Sequence, residues 1–209
     1  INLNKKMNFL KTHNAMCNIN GNIFTNKKNT AGCLYIVRDP RNVVLSIAHH
    51  YELTLSEAFE FITNKRKIIF NSKNKNDFGD VQFLGNWSSH YRSWKEAKNF
   101  PVKVIKYEEL VKDTFAVFVS ILNFLGTITH VTLDQKKIKI ILKTTNFEVL
   151  KKKEEKYGFE ESIASKQKNE KIRFFNLGKE NNWTNMLDTK IEKKIRETFG
   201  EEMKELKYI

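Results

Sequence analysis

The chain has 209 residues, of which 40% are hydrophobic and 16 are phenylalanine. This is enough apolar material for one sizeable core and too little for two, so we expect residues 1–209 to form a single folded domain rather than a disordered segment. The formal net charge of +13 favours a polyanionic cofactor, nucleic acid or an acidic membrane surface, and charge alone does not separate these three.

Cysteine content and hydropathy exclude further classes. The two cysteines, Cys17 and Cys33, have neither the spacing of a zinc site nor the density of a disulfide-stabilised secreted domain. We therefore expect a cytoplasmic protein without a bound metal. The longest apolar-rich stretch, Phe115 to Leu125, is too short to span a bilayer, so we predict a core helix there and no membrane partner.

The first clear elements along the chain are a strand and a helix. Cys33 to Val37 is typical of a short buried strand, and Asp39 can cap a helix whose first turn contains Pro40. The apolar face of that helix is formed by Val43, Val44 and Ile47. The pattern predicts a βα unit.

Three polar residues, Arg38, Arg41 and Ser46, are expected to converge near the N-terminus of this helix. Guanidinium groups supply forked, charged donors, the hydroxyl adds a neutral donor, and the helix dipole favours an anion there. The pattern indicates a phosphate site. A pair of surface arginines around an ordinary βα turn would show the same residues.

A second βα unit follows further along the chain. We predict a strand from Val102 to Lys106 and a helix from about Glu109, so the sheet should be parallel. An amphipathic helix that returns the chain to the sheet is predicted from the helical spacing of Phe83, Leu84, Trp87, Tyr91 and Trp94.

The C-terminal part is predicted to be helical. Thr132 and Gln135 have the spacing of a capping box, and the lysine-rich run from Lys151 to Lys156 indicates a solvated helix face. Asp188 can cap a last helix, whose shared face is formed by Ile191, Ile195 and Phe199.

The segment from Tyr35 to Ser46 resembles the 3′-phosphate-binding motif of the sulfotransferases that use 3′-phosphoadenosine 5′-phosphosulfate. In that family an arginine is followed, after seven residues, by a serine. The resemblance implies that Arg38 and Ser46 bind the 3′-phosphate, with Arg41 beside them. It also implies a P-loop-NTPase-like three-layer α/β fold, in which a central parallel sheet is flanked by helices.

Other segments resemble the same family in the same order. Lys11-Thr12-His13 is similar to the segment that carries the catalytic base, which implies that His13 is the base and that Lys11 stabilises the sulfonate. Tyr107 follows a strand as the adenine-contacting tyrosine of the family does. Trp87 and His90 are similar to residues beside the acceptor pocket, and Trp94 should be a core residue.

The last family element is a loop that is recognisable here through Gly178, Trp183 and Asn185. The resemblance implies that Gly178 and Lys179 contact the nucleotide. The loop departs from the family pattern because the two basic residues that normally contact the 3′-phosphate are replaced by Asn176 and Leu177. Lys179 and Arg173 are the candidate substitutes.

Two further family elements are absent from the sequence. A Lys-Ser-Gly-Thr-like phosphosulfate loop after a first strand is not found, so we interpret the chain as a fragment that lacks that strand and loop. We expect this fragment alone to be inactive in sulfonate transfer, because the groups that would hold the phosphosulfate are missing. The segment through which vertebrate cytosolic members dimerise is also unmatched, because this chain has Thr184, Asp188, Thr189 and Lys193 there. The oligomeric state is left open.

The resemblance implies transfer of a sulfonate group to a small molecule with a hydroxyl or amine group, without nucleic acid as a partner. Two alternatives remain open. A nucleotide kinase on a related P-loop scaffold would need a Walker lysine and a magnesium-binding aspartate after a strand. A basic module that binds nucleic acid would need exposed aromatic residues between its lysines, whereas the aromatic residues here follow core periodicity.

Overall fold

The computed structural model describes residues 7–70, 81–129, 134–166 and 168–209. Within these ranges short strands alternate with helices. The strands are β1 Asn18–Ile19, β2 Asn22–Ile23, β3 Cys33–Val37, β4 Ile68–Phe70, β5 Val81–Phe83 and β6 Val102–Lys106. The helices are α1 Pro40–Tyr51, α2 Leu55–Thr63, α3 Trp87–Lys95, α4 Tyr107–Lys112, α5 Thr114–Gly126, α6 Gln135–Thr144, α7 Phe147–Tyr157, α8 Trp183–Met186 and α9 Thr189–Glu205, with a 3₁₀ helix at Gly178–Glu180.

The first predicted βα unit is confirmed by β3 and α1, but the prediction of a buried strand is wrong, since only Val37 is buried and Ile36 is 56% exposed. Pro40 occupies the first turn of α1, where its missing N–H is not needed. The Asp39 carboxylate accepts a hydrogen bond from the backbone N–H of Arg41 at 2.9 Å and so caps the helix. These local features fix the end of β3 and the start of α1 next to Arg38.

The predicted parallel pairing is confirmed between β3 and β6. Cys33 lies opposite Val102 and Val37 lies opposite Lys106, so both strands end at the same edge. The residues that follow them, Arg38 and Tyr107, therefore leave the sheet side by side. Ligands of open parallel sheets bind outside this edge.

A hydrophobic core lies between α1, α2 and α9. Its fully buried side chains include Val44, Ala58, Ile195, Phe199 and Met203. The predicted cap of α9 is confirmed, because Asp188 accepts hydrogen bonds from the backbone N–H groups of its first turn. This core fixes α1, which carries two of the predicted site residues.

The prediction for the returning helix is wrong at its start. Phe83 belongs to β5 and pairs with Ile68 in β4, and α3 begins only at Trp87. Gly85 separates the two elements with a φ of +63°, a backbone conformation that glycine adopts readily. Asn86 then caps α3 through a capping box with Ser89.

The apolar helix α5 forms as predicted, but its prediction as a core helix is wrong. None of its residues is buried, and Phe115 is 38% exposed. The helix packs mainly on β6, α4 and α6, and part of its surface stays open. The capping box predicted at Thr132 lies outside the described residues, and α6 is capped by Asp134.

The helices of the described ranges differ in length and in apolar character. None of the helices there combines the length and the apolar character that crossing a bilayer requires.

Candidate active site

Arg38 stands directly after β3, where its guanidinium group contacts two other predicted residues. Its Nη1 donates a hydrogen bond to Ser46 Oγ at 3.3 Å. Its guanidinium carbon lies 4.4 Å from the centre of the Tyr107 ring, a cation–π contact. Its Nε is buried and finds no hydrogen-bond partner within the described part of the chain. A buried donor without an acceptor is costly, so the arrangement suits a site that an anion completes.

The electrostatic surroundings of Arg38 also suit a bound anion. Burial lowers the pKa of its guanidinium group, because removal from water disfavours the charged form. Tyr107, Glu108, Asp39 and Tyr208 act in the opposite direction. An anion bound against Arg38 would add to their effect and stabilise the cation.

Arg41, which we predicted as a phosphate contact, is buried and forms ion pairs with two carboxylates. Its side chain is only 3% exposed, with Nη2 at 2.6 Å from Asp39 Oδ2 and Nη1 at 3.3 Å from Glu192 Oε1. Nη2 also donates to the backbone carbonyl of Tyr208 at 2.8 Å, and the guanidinium carbon lies 3.8 Å from the centre of the Trp183 ring. Arg41 therefore joins α1, α8 and α9 inside the protein, and its contact with a phosphate stays a prediction.

Glu108 connects the ends of the two parallel strands. Its Oε1 accepts a hydrogen bond from the backbone N–H of Asp39 at 3.0 Å, and its Oε2 accepts one from the Tyr208 hydroxyl at 2.9 Å. Asp39 follows Arg38 in the chain, and Glu108 follows Tyr107. The bridge thus fixes the position of Tyr107 relative to Arg38.

The loop that leads into α8 returns to the first turns of α1. Asn181 Nδ2 donates a hydrogen bond to Ser46 Oγ at 2.8 Å. The backbone N–H of Trp183 donates to Asn42 Oδ1 at 3.0 Å. These hydrogen bonds therefore hold the loop against the helix that carries Ser46.

Gly178 and Lys179, both predicted to contact the nucleotide, lie in the 3₁₀ helix of this loop. Gly178 has a φ of +56°, and a Cβ added to it would lie 2.8 Å from the Phe147 ring, so close packing requires glycine there. Lys179 is exposed, and its ammonium group forms no ion pair within the described ranges. Asn176 and Leu177 are half-buried. Lys179 is thus a free cation in the part of the loop that lacks the basic pair.

Lys11 and His13 lie together against Glu161, a residue that the sequence did not predict for the site. Lys11 forms an ion pair with Glu161 Oε1, and His13 Nε2 lies 3.7 Å from Glu161 Oε2. The side chain of His13 is 48% exposed, so its imidazole is accessible to a ligand.

The surroundings of His13 favour the uncharged form of its imidazole. Burial lowers its pKa, and repulsion from the Lys11 ammonium lowers it further, whereas Glu161 acts to raise it. The net shift is downward from the usual value near 6.5. An unprotonated imidazole is the form that accepts a proton from an attacking group.

Helix α3 connects His13 to Arg38. Trp87 Nε1 donates a hydrogen bond to the backbone carbonyl of Arg38 at 3.1 Å, and one turn later His90 Nε2 donates to the carbonyl of His13 at 3.1 Å. His90 Nδ1 lies 2.8 Å from the Tyr35 hydroxyl, which donates to it when the ring is neutral. One helix therefore sets the position of His13 relative to Arg38.

His90 and Trp87, predicted as acceptor contacts, thus hold the backbone of other site residues. Both ring nitrogens of His90 are engaged, and burial lowers its pKa against the opposing effect of the hydrogen bond to His13. Their contact with an acceptor stays a prediction. The prediction of Trp94 as a core residue is confirmed, since it is 5% exposed.

Glu154 is a second residue that the sequence did not indicate. It is 8% exposed, and its carboxylate accepts hydrogen bonds from the Ser162 hydroxyl at 2.6 Å and from the backbone N–H groups of Phe174 at 2.7 Å and Phe175 at 2.9 Å. Burial acts to raise its pKa, but these hydrogen bonds outweigh it and the pKa is lowered. The lysine-rich run around Glu154 predicted only a solvated face, and no local pattern marked this buried carboxylate.

No cluster of three or more His, Cys, Asp or Glu side chains that could hold a metal ion occurs in the ranges that the structure describes. Cys17 and Cys33 are free thiols, and burial raises the pKa of Cys33 to about 11.

Comparison with protein families gives a match over nearly the whole chain. The family model described as the sulfotransferase domain matches residues 1–207. The predicted resemblance is therefore confirmed.

Curated relatives with named activities give similar matches. A 3-beta-hydroxysteroid sulfotransferase of Cavia porcellus is 30% identical over 59% of this chain and 40% of its own length. Sulfotransferase 2A1 of Macaca fascicularis is 27% identical over 84% of this chain and 58% of its own length. An amine sulfotransferase of Oryctolagus cuniculus is 26% identical over 88% of this chain and 58% of its own length. This chain thus spans between 40% and 58% of the length of these relatives.

A solved structure supports the same relationship. The crystal structure of mouse sulfotransferase SULT7A1 complexed with PAP matches with a TM-score of 0.53 and 26% identity, over 85% of this chain and 59% of that chain. The predicted P-loop-NTPase-like α/β fold class with a parallel sheet is confirmed.

Proposed function

Because the match over residues 1–207 shows that this chain belongs to the sulfotransferase domain family, we propose that the natural protein transfers a sulfonate group from 3′-phosphoadenosine 5′-phosphosulfate to a small molecule. The observation that carries the proposal is the arrangement at Arg38. Its guanidinium group contacts Ser46 and the Tyr107 ring at the edge where parallel strands bind ligands, and its buried Nε donor has no partner among the described residues.

The donor nucleotide would be held by these three residues. Arg38 and Ser46 would bind the 3′-phosphate, because a partly buried guanidinium group forms strong charge-assisted hydrogen bonds to phosphate oxygens. Tyr107 would lie against the adenine, and Gly178 and Lys179 would approach the nucleotide from the loop before α8.

The reaction needs a base and a compensating positive charge. The acceptor oxygen or nitrogen attacks the sulfur, the bond from sulfur to the phosphate oxygen breaks, and adenosine 3′,5′-bisphosphate leaves. His13 would take the proton from the attacking group, since its lowered pKa keeps it unprotonated at neutral pH. Lys11, whose ammonium group lies beside it and pairs with Glu161, would stabilise the charge of the sulfonate.

The proposed acceptor is a small molecule with a hydroxyl or amine group. The relatives named for 3-beta-hydroxysteroid and for amine sulfotransferase support both acceptor classes. We place the protein in the cytoplasm, in keeping with the free thiols of Cys17 and Cys33, and treat residues 1–209 as one domain.

A nucleic-acid-binding module has less support from the aromatic residues. Binding of single strands uses exposed rings on which bases stack. In this chain Tyr91, Trp94, Phe100 and Phe199 are buried, with exposed fractions of 7% or less. These four rings therefore offer no surface on which bases could stack. Exposed rings such as Phe9, Phe70 and Tyr157 occur on separate segments of the chain.

Titration against three ligands tests the proposed function. We expect adenosine 3′,5′-bisphosphate to bind with 1:1 stoichiometry in calorimetry, and to bind more tightly than either ATP with magnesium or a single-stranded oligonucleotide. Preference for ATP with magnesium would indicate a kinase instead. Preference for the oligonucleotide, with affinity falling steeply as salt rises, would indicate a nucleic-acid-binding module.

A further inference from the structure

Asn181 reaches from the loop before α8 to the middle of α1. Its Nδ2 donates hydrogen bonds to Ser46 Oγ at 2.8 Å and to the backbone carbonyl of Asn42 at 3.3 Å. Since a carbonyl oxygen only accepts hydrogen bonds, the contact with Asn42 fixes which end of the Asn181 amide faces Ser46. The amide is therefore held as a donor to the Ser46 hydroxyl.

The hydroxyl of Ser46 receives two hydrogen bonds in this arrangement. One comes from Asn181 Nδ2 and the other from Arg38 Nη1, at 3.3 Å. A serine oxygen has two lone pairs and one hydrogen, so both acceptor positions are filled and the hydrogen remains to be donated. No acceptor for that hydrogen is found in the described parts of the chain.

We propose that Asn181 is a positioning residue for the 3′-phosphate, because it directs the hydroxyl hydrogen of Ser46 towards the bound anion. This inference rests on the proposed function. Arg38, which donates to Ser46 through Nη1, has a second buried donor, Nε, that lacks a partner in the described residues. A buried donor of this kind calls for an explanation, and an anion that accepts from it supplies one.

The composition of the loop before α8 makes the hydrogen bond from Asn181 to Ser46 more important for binding. Asn176 and Leu177 carry no charge, so the 3′-phosphate has fewer cationic partners and depends more on Arg38 and on a correctly directed neutral donor. A hydroxyl hydrogen that rotates freely would spend part of its time pointing away from the phosphate. Fixing it before the ligand arrives lowers the entropic cost of binding.

The test is a double-mutant cycle on nucleotide affinity. Calorimetry with adenosine 3′,5′-bisphosphate and with adenosine 5′-phosphate is carried out on the unmodified protein, Asn181→Ala, Ser46→Ala and the double variant. We expect Asn181→Ala to weaken the bisphosphate on the order of fivefold, the size of one neutral hydrogen bond, and to leave the 5′-phosphate unchanged. In the Ser46→Ala background the same change should have no further effect.

Two more variants sharpen the test. Asn181→Asp has the same shape but cannot donate to Ser46 and adds a negative charge, so it should weaken the bisphosphate more than Asn181→Ala does. Asn123→Ala removes an exposed amide from α5, a helix that carries none of the predicted site residues, and should leave both affinities unchanged.

The outcomes separate this inference from the proposed function. Losses at Asn181 and Ser46 that simply add, or a loss that extends to the 5′-phosphate, would overturn the inference while Arg38-dependent binding of the bisphosphate persists. Failure of the unmodified protein to prefer the bisphosphate would overturn the proposed function and this inference together.

Discussion

Replacement of Arg41 by alanine is expected to lower the free energy of unfolding by about 3–5 kcal/mol, the usual cost of removing one partner from a buried ion pair. The side chain is 3% exposed and holds Asp39 at 2.6 Å and Glu192 at 3.3 Å. Without it, the Asp39 carboxylate, which is 5% exposed, loses its cation, and the Trp183 ring loses its stacking partner. Urea unfolding followed by circular dichroism measures the change.

A matched control is available on the same carboxylate. Arg196 also pairs with Glu192, but its side chain is 43% exposed, so Arg196→Ala should cost about 1 kcal/mol or less. Arg41→Lys keeps a positive charge and should fall between the two, which preserves the comparison if Arg41→Ala does not fold. Equal losses for Arg41→Ala and Arg196→Ala would contradict the internal role of Arg41.

Replacement of His13 by alanine is expected to reduce turnover by roughly 100-fold or more, as is usual for loss of a general base. Affinity for adenosine 3′,5′-bisphosphate should stay nearly unchanged, because Arg38 and Ser46 are intact. The measurement is sulfonate transfer from labelled donor by the natural protein, together with calorimetric affinity. His49→Ala is the control, since His49 is exposed on α1 and bonds only the carbonyl of Arg173 among the described residues.

The pH dependence of turnover gives an independent check on His13. Activity should fall on the acid side as the imidazole becomes protonated, at a pH below its usual pKa of 6.5. Glu161→Gln removes the group that raises the pKa of His13, so the acid limb should move to lower pH, whereas Lys11→Met should move it to higher pH. Retained turnover in His13→Ala, or an acid limb that neither change moves, would show that another group is the base.

The elements that depend on local sequence were predictable. The strand Cys33–Val37 and the helix that follows it are specified by an apolar run, a capping aspartate and a proline within about eight residues. The second strand, Val102–Lys106, follows from the same kind of pattern, and parallel pairing follows from two βα units in succession. The shared edge that carries Arg38 and Tyr107 could therefore be inferred.

Other features depend on contacts between distant parts of the chain, and local pattern could not supply them. Arg41 has the residue type of a phosphate contact, and only the carboxylate of Glu192, far along the chain, shows that its guanidinium group is used internally. Glu161 lies 150 residues from Lys11. Glu154 has lysines as neighbours in the sequence, but its carboxylate accepts a hydrogen bond from the backbone N–H of Phe174. The helical spacing also placed Phe83 in the predicted helix, whereas Phe83 pairs with β4 as part of a strand.

The central claim is that Arg38 recognises the 3′-phosphate of the donor nucleotide. The most direct measurement compares calorimetric affinities for adenosine 3′,5′-bisphosphate and adenosine 5′-phosphate in the unmodified protein and in Arg38→Ala. Arg66→Ala, which removes the same charge from an exposed position after α2, serves as the control. We predict that Arg38→Ala loses about 10- to 100-fold of the preference for the bisphosphate, the size of a charged hydrogen bond, and that Arg66→Ala keeps it. An equal preference in all three proteins would contradict the account.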